Sequence, residues 1–430
     1  MSALRSLTRQ WLAGSVMGNR QFRTLWISLI ASVAGDQIFP VAVVVSLLDA
    51  DGDATAVGMV LASRWAALVL FGLFGGVWAD RLPRRHVMLA SQAFLCCVVV
   101  VGLSGVTSAW VLGGMVFLAG AAESFFRPAF QACLGSVLTP EQRPAGAALN
   151  AVSWRVGAIA GPGLGAFLVS AAPVRTAFLA ALGAFVVSLC VLLPLKEPVV
   201  ARTARASAWL EIAEGVREVW RRRWIGTIIV VTALQSMLTI APSQVLLPVL
   251  AREDFGGSAF YGTSLALLSV GGLAGGVVSM AWKPRRAGLA AIAGLMAYGL
   301  VPPALCLSQA PWAVYSCFAL AGFGLEIFAV QWVVSLQREV PAERLARVVS
   351  LDWIAASALT PLGLVLTGPA ASALGVVPVL VLSGLAGVAL PLTALLTSGT
   401  TYFRSKYRPN PTNAEERVEV VSFASHYDHQ

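Results

Sequence analysis

Seven ionisable side chains lie within long apolar stretches of the sequence. Four carry carboxyl groups and three are arginines: Asp36, Glu123, Glu326, Asp352, Arg64, Arg127 and Arg155. Of the four acids, Asp352 lies close to the start of its stretch. A charged side chain in an apolar medium is costly unless it is paired or hydrated. Because desolvation favours the neutral form of a carboxyl, a carboxyl in such a place can exchange a proton near neutral pH. These residues are therefore candidates for proton transfer or for charge pairing.

Asp36 is the first candidate for a proton-exchanging carboxyl. It lies about 21 Å along its apolar stretch, counted at the rise of an α-helix, and so falls near the middle. The alternative is a structural ion pair with Arg64 or Arg155. Both roles are compatible in one residue.

The other carboxylates have different expected partners. Glu123 and Arg127 are four residues apart with the acid first, which favours an ion pair within one helix; this pair is either structural or linked to substrate or protons. Glu326 has no basic residue within one helical turn of its own stretch, so it is the second proton candidate. Asp352 lies only about 9 Å from the start of its stretch and is expected to cap a helix.

The apolar stretches indicate a polytopic membrane protein. The chain has 430 residues, of which 57% are hydrophobic and 12% charged, and its mean hydropathy is +0.78. Runs of about 20 apolar residues without strict alternation predict membrane-spanning helices. Twelve spans are predicted, at about 22–48, 55–78, 87–107, 110–133, 146–170, 175–194, 224–248, 260–282, 287–307, 312–336, 346–368 and 374–397.

The basic residues predict the orientation of these spans. If the N-terminus is inside, 25 of the 30 Lys and Arg fall in inner segments, whereas the outer loops hold only Arg175 and Arg252. This asymmetry is the positive-inside pattern, so both termini are expected in the cytoplasm and the chain in the inner (plasma) membrane. The net charge of +9 is thereby explained without nucleic-acid binding. The six Cys lack metal-ligand spacing, and no metal site is expected.

A repeated motif divides the chain into two halves. The segment GGVWADRLPRR at 75–85 resembles GGVVSMAWKPRR at 275–286, and each lies between two predicted spans. Two pseudo-symmetric six-helix bundles are therefore expected, an arrangement that implies alternating access to a site near the membrane middle. The predicted organisation has five parts: a cytoplasmic N-terminal segment, the first bundle, a cytoplasmic linker, the second bundle and a disordered cytoplasmic tail, at 1–21, 22–194, 195–223, 224–397 and 398–430.

The linker contains a predicted amphipathic helix. Its apolar residues recur at helical spacing from Trp209 to Trp220, with charged residues between them. Such a helix is expected to lie at the inner leaflet with its Trp residues at headgroup depth. It serves either as a tether or as a strut that couples the two halves.

Several motifs resemble those of the major facilitator superfamily. The signature after the second span is present as Gly76, Asp80, Arg81, Arg84 and Arg85, although Pro83 replaces its usual glycine. Three further segments are similar to the twelve-span drug:proton antiporters that include macrolide-efflux and enterobactin-export proteins: 19–26, Gly35-Asp36 and 126–131. A Gly-Pro motif typical of antiporters is present as Gly161, Pro162 and Gly165, where glycines allow close helix approach and proline allows a bend.

The resemblance implies a gate at the signature loop. The three arginines are explained by attraction to an anionic membrane surface, worth about 1 kcal/mol each. Asp80 is not explained in this way. In the family, a carboxylate at this place contacts the start of span 11 when the cytoplasmic side is closed, which here falls near 344–350. The second copy of the motif has Met280 or Ala281 instead of an aspartate, so the latch is expected on one side only.

The remaining polar and aromatic residues of the spans predict an apolar cavity with a few polar groups. The candidate lining residues are Gln37, Trp154, Gln235, Thr239, Gln331, Trp332 and Trp353. Apolar and aromatic walls suit a bulky amphipathic ligand. Most of these Trp are equally well explained as lipid-facing packing residues.

The expected function is export of hydrophobic or amphipathic small molecules, such as a drug, an antibiotic or a siderophore, by proton antiport. No GxxxxGK[ST] motif is present, so energy is expected from an ion gradient and no cofactor is expected. The chain is not expected to be an enzyme, and a monomer is expected. The alternatives are an importer or metabolite carrier of the same fold, and a non-transporting receptor or assembly factor.

Overall fold

The computed structural model describes residues 16–79, 83–139, 142–196, 216–282, 284–307 and 310–404, without the side chains of 72–79, 144, 342, 343 and 346. All regular secondary structure in these ranges is helical. Among the described residues, twelve helices are long and apolar enough to span a membrane, as the hydropathy pattern predicts. The described part of the chain is therefore an all-α membrane protein.

The first six spanning helices are α1 to α6 in chain order. Their bounds are Arg20–Asp49, Ala54–Ala79, Arg84–Leu103, Ala109–Val137, Arg143–Ala171 and Val174–Leu192. The predicted spans were shorter at several ends, because hydropathy marks the hydrocarbon segment and not the whole helix. The described residues 216–221 are also helical, and we call this segment the linker helix.

The second six are α7 to α12. Their bounds are Arg223–Glu253, Ser258–Ala281, Ala287–Ala304, Pro311–Glu339, Ala342–Leu374 and Val376–Ala394. A π-helical segment, Ser236–Ile240, interrupts α7 just before Pro242, whose missing N–H cannot continue the α-helical pattern. In α9 the helix breaks between Tyr298 and Val301.

Helix packing repeats between the two halves. In the first half, α2 packs on α4, α3 packs on α4 and α6, and α1 packs on α5 and α6. The corresponding helices of the second half, α7 to α12, make the same five pairings. The motif repeat in the sequence thus has a structural counterpart. Between the halves, α5 packs on α8 and α2 packs on α11. Because the helices alternate in direction, the linker and both described chain ends lie on one side of the bundle, which we call the linker side. The other is the far side.

Glycines allow the closest helix contacts. A methyl group at Gly322 of α10 would lie 1.9 Å from the carbonyl oxygen of Leu268 in α8, and one at Gly271 of α8 would lie equally close to Ala319. In a membrane, small residues of this kind allow van der Waals packing that drives helix association.

The Gly322→Ala variant is expected to lose about 1–3 kcal/mol of stability, because the added methyl group forces α8 and α10 apart. The matched control is Gly183→Ala in α6, where a methyl group would meet no atom within 4 Å; this change is expected to be neutral or stabilising by up to about 1 kcal/mol. Thermal unfolding of the detergent-purified proteins measures both. Equal midpoints for the two variants would contradict the packing argument.

Candidate functional site

A cluster of charged side chains lies in the interior of the first half. Arg64 of α2 donates from Nη2 and Nε to Glu123 Oε2 of α4, at 2.8 and 3.2 Å. Arg127 Nη2 lies 2.5 Å from the other oxygen, Glu123 Oε1. The Glu123 side chain is only 3% exposed. One buried carboxylate therefore holds two guanidinium groups.

Close packing of α2 on α4, together with one aromatic contact from α5, positions this cluster. A methyl group at Gly120 would lie 2.8 Å from the carbonyl oxygen of Arg64, so the absence of a side chain there brings α2 within reach of Glu123 one turn away. On the other side, the guanidinium carbon of Arg127 lies 4.3 Å from the ring centroid of Trp154 in α5. This cation–π contact replaces part of the solvation that the arginine loses.

Asp36 lies next to this cluster in the middle of α1. It interacts electrostatically with Glu123, Arg64 and Arg127, and it is half-buried. Among the described residues it makes no hydrogen bond or ion pair. The pair with Arg64 or Arg155, one of the two roles that the sequence allows, is therefore not formed in this structure, because both arginines are held by other acids.

The Gly-Pro motif of α5 supports α1 beside Asp36. A methyl group at Gly161 would lie 2.5 Å from Cβ of Gln37, and one at Gly165 would lie 3.0 Å from the Cα of Ile38. Pro162 lies within the continuous helix α5. Gln37 is thus packed against the α5 backbone, which fixes the rotation of α1 around Asp36.

The charges of the cluster give Asp36 a distinct chemical position. Glu123 and the two arginines it contacts sum to one positive charge. Ionised Asp36 makes the group neutral, and protonated Asp36 leaves it positive. Loss or gain of a proton at Asp36 would therefore change the charge of this low-dielectric site without breaking a described ion pair.

A second charged pair connects the two halves. Glu326 of α10 forms an ion pair with Nε of Arg155 in α5. The prediction that Glu326 is unpaired was wrong, because it considered partners on the same helix only, and α5 supplies the cation from the other half. Gly275 and Gly276 of α8 make room for the Glu326 side chain. The Arg155 side chain is 39% exposed and the Glu326 side chain only 10% exposed, so the guanidinium is partly hydrated while the carboxylate is nearly buried.

The variants Arg155→Glu and Glu326→Arg are each expected to reduce transport about tenfold, because each places like charges opposite one another between the halves. The double swap restores the pair and is expected to recover most of the rate. Initial rates in proteoliposomes measure this. A double swap as inactive as the single variants would show that side-chain identity, and not pairing, is required.

Two predicted side-chain roles, those of Asp352 and Trp332, are corrected by the structure. Asp352 does not cap α11, since the helix begins ten residues earlier at Ala342; its Oδ2 accepts a hydrogen bond of 3.0 Å from Nε1 of Trp332. Trp332 is buried against Trp224 and Phe403 and does not line a cavity. It anchors the linker-side core of the second half.

Two further cavity candidates face the inside of the second bundle. Gln235 Nε2 donates to the carbonyl oxygen of Leu295 in α9 at 2.8 Å, and Thr239 Oγ1 donates to that of Ser383 in α12 at 3.0 Å. Their prediction as lining residues was wrong, because composition cannot distinguish a bundle interior from a cavity wall. Of the remaining candidates, Gln331 is buried in α10 and Trp353 is exposed on α11.

The family model of the Major Facilitator Superfamily matches residues 25–357. The chain belongs to this superfamily. It is a membrane transporter and not an enzyme.

Relatives and solved structures agree with this assignment. Macrolide efflux protein A of Streptococcus pyogenes is 22% identical over 85% of this chain and 92% of its own. The multidrug efflux pump Tap of Mycolicibacterium fortuitum is 27% identical over 84% and 92%. A crystal structure of the nucleoside transporter NupG, 12% identical, superposes with a TM-score of 0.67 over 88% of this chain and 99% of its own. At this identity the structural likeness shows the fold alone.

The superfamily signature loop is described only in part. Asp80 and Arg81 lie outside the described residues, and Gly76 lies near the end of α2. Arg84 Nη1 donates to the carbonyl oxygen of Ala132 at 2.9 Å, and Arg85 Nη2 donates to that of Leu193 at 2.6 Å. These arginines therefore bind carbonyls at the linker-side ends of α4 and α6, where the helix dipole favours a cation. The sequence does not predict these arginine–carbonyl hydrogen bonds.

The described contacts between the halves define the closed side of this superfamily member. A methyl group at Gly58 would meet Leu364 O at 2.2 Å, and one at Gly262 would meet Ala166 O at 2.6 Å; all four residues lie toward the far side. At the far surface, Arg252 donates to Asp51 at 2.8 Å. The Arg155–Glu326 pair is the inter-half ion pair nearest the linker side among the described residues. The far side is therefore closed.

Sequence reasoning did not predict the Asp51–Arg252 pair. Two features of the sequence could have indicated this pair: the acidic Asp-Gly-Asp loop at 51–53 and the rarity of basic residues in the far-side loops. Asp51 adopts a left-handed conformation with φ of 60°, which aspartate tolerates better than most residues. An ion pair this exposed stabilises the closed arrangement by only about 0–1 kcal/mol. Close helix packing is therefore the main interaction that keeps the far side closed.

Proposed function

We propose that the protein exports hydrophobic or amphipathic small molecules across the plasma membrane by proton antiport. The observation that carries this proposal is the position of Asp36, a mid-membrane carboxyl without a described ion-pair partner beside the Arg64–Glu123–Arg127 cluster. Such a carboxyl can load and release one proton per cycle, and its charge acts directly on the helices that surround it.

The relatives support the direction and the substrate class. Two of them are named as macrolide and multidrug efflux proteins. We infer from the distribution of basic residues that the linker side is cytoplasmic. The far side is then outside, and the described structure is closed toward the outside. In this proposal the protein acts as a monomer, requires no cofactor and uses the proton gradient as its energy source.

Alternating access follows from the two sets of inter-half contacts. Opening the far side requires separation of the glycine contacts between α2 and α11 and between α5 and α8, together with the Asp51–Arg252 pair. The Arg155–Glu326 pair lies between these contacts and the linker side, close to the point about which the two halves would rock. Protonation of Asp36 from outside and its release inside would then bias the two states in turn.

The test uses purified protein in proteoliposomes with labelled erythromycin or ethidium as probe. An imposed pH gradient that is acidic on the side of accumulation is expected to drive uptake of at least one probe, and nigericin is expected to abolish it. The control is the same vesicle without a gradient. Gradient-independent equilibration of every probe that moves would contradict proton antiport, and failure of all amphipathic probes alongside transport of a polar metabolite would contradict the substrate class.

A further inference from the structure

We propose that the exposed face of the linker helix, residues 216–221, binds anionic phospholipid headgroups, and that Glu218 transmits this binding to α11. The proposal concerns a lipid partner and its mechanical effect, and it is independent of the substrate and of the coupling ion.

The outer face of the linker helix combines an aromatic side chain with basic ones. Trp220 is 80% exposed, and Arg217, Arg221 and Arg223 are exposed beside it. Trp220 lies three residues before α7 begins, which is the level at which a spanning helix leaves the hydrocarbon. A tryptophan at this depth favours the bilayer interface, and the arginines complement the charge of anionic headgroups.

The inner face of the same helix is attached to the second half. Glu218 is 3% exposed and forms ion pairs with Arg222 and with Arg344, the latter at 2.7 Å between Oε2 and Nη1. Val219 packs against the cluster around Trp224. The helix therefore has one face toward the bilayer surface and one face locked to the protein.

Arg344 connects the linker helix to a helix that joins the halves. It lies in the first turn of α11, and α11 packs against α2 of the other half. The carboxylate of Glu218 is largely shielded from water, so its interaction with Arg344 is little weakened by salt. Lipid bound at Trp220 and the arginines would thus restrain the linker-side start of α11, a helix whose far-side part packs against α2 of the other half.

The first experiment measures lipid retention. The full chain is purified from bilayers containing phosphatidylglycerol and phosphatidylcholine, and native mass spectrometry counts the retained lipids. The variant Trp220→Ala with Arg217→Gln is expected to retain at least about fivefold less phosphatidylglycerol, the effect of one lost arginine at an anionic surface. The matched control is Trp110→Ala with Arg175→Gln, which removes the same side chains from the far side and is expected to retain the wild-type amount.

The same spectra distinguish anionic lipid from other ligands that could occupy this face of the linker helix. Equal retention by the variant and the wild type would overturn the proposal. Displacement of the bound lipid by inorganic phosphate would assign the face to a phosphate ion instead of a membrane-held headgroup. If the wild type forms a dimer and the variant does not, the exposed face of the linker helix would be assigned to contact between two copies of the chain.

The second experiment tests transmission. Hydrogen exchange in the first turns of α11, residues 342–349, is expected to be slower in nanodiscs with phosphatidylglycerol than in phosphatidylcholine alone. Glu218→Gln is expected to keep lipid retention but to remove this difference. If Glu218→Gln is not recovered as folded protein, Arg344→Gln removes one of its two contacts and serves the same purpose. A lipid-dependent difference that persists in these variants would overturn the role of Glu218.

Discussion

The Asp36→Asn variant is expected to lose accumulation driven by a pH gradient and to keep counterflow of the same substrate. Asparagine has the shape of a protonated aspartic acid but cannot release a proton. Net antiport requires the carboxyl to change protonation in every cycle, so the driven rate is expected to fall to that of empty vesicles. Counterflow exchanges substrate for substrate and does not require this change.

Asp36 differs from the other buried acids because it makes no described ion pair, whereas the neighbouring Glu123 already pairs with both arginines. Glu123 already contacts both nearby arginines, so its proton affinity is tied to breaking two contacts. Glu326 is similarly held by Arg155. Asp36 has no described ion pair to break. The nearby arginines favour its ionised form, whereas desolvation and the charge of Glu123 favour its neutral form, so the two forms are opposed by comparable influences.

Labelled probe in proteoliposomes measures both activities. The matched control is Asp254→Asn, an exposed aspartate at the far-side end of α7, which is expected to behave as the wild type. Unchanged gradient-driven accumulation in Asp36→Asn would exclude Asp36 as the proton carrier. Loss of counterflow as well would place the residue in substrate binding and would overturn the assignment in a different way.

The sequence was sufficient for the fold because its main determinants are local. Hydropathy counted over one span at a time predicts twelve helices, and the Pro-Arg-Arg repeat predicts two copies of one arrangement. The ion pair between Glu123 and Arg127 was also predictable, because both residues lie on one helix face. No tertiary information was required for these inferences.

The site was predictable only in part because its contacts join different helices. Arg64 reaches Glu123 through the space left by Gly120, and Arg155 reaches Glu326 across the two halves. The apparent isolation of Glu326 on its own helix led to a wrong prediction for this reason. Gln235 and Thr239 were misplaced because the side of a spanning helix that faces a cavity is decided by packing, and an apolar span with a weak amphipathic pattern contains little information about it.

Replacement of Glu123 by Gln is expected to cost about 3 kcal/mol of stability, since it leaves two guanidinium groups without their buried counter-ion. The value lies at the lower end for buried ion pairs because Arg64 and Arg127 are 22% and 38% exposed and can be partly hydrated. Arg64→Met is expected to cost less, because Glu123 keeps Arg127. Thermal unfolding of the purified variants measures these effects, with the exposed Glu253→Gln as the matched control.

The Glu123 variant also tests the electrostatic link to Asp36. When Glu123 is neutral, Asp36 is the remaining acid that interacts with Arg64 and Arg127, and it is expected to stay ionised as their counter-ion. Asp36→Asn should therefore cost little in the wild type but about 1–3 kcal/mol more in the Glu123→Gln background, the range found for coupled neighbours. Additive costs would show that Asp36 is electrostatically separate from the cluster. A non-additive result would show that Asp36 is coupled to the cluster, as expected of an acid that remains available for the proton while Glu123 holds the permanent negative charge.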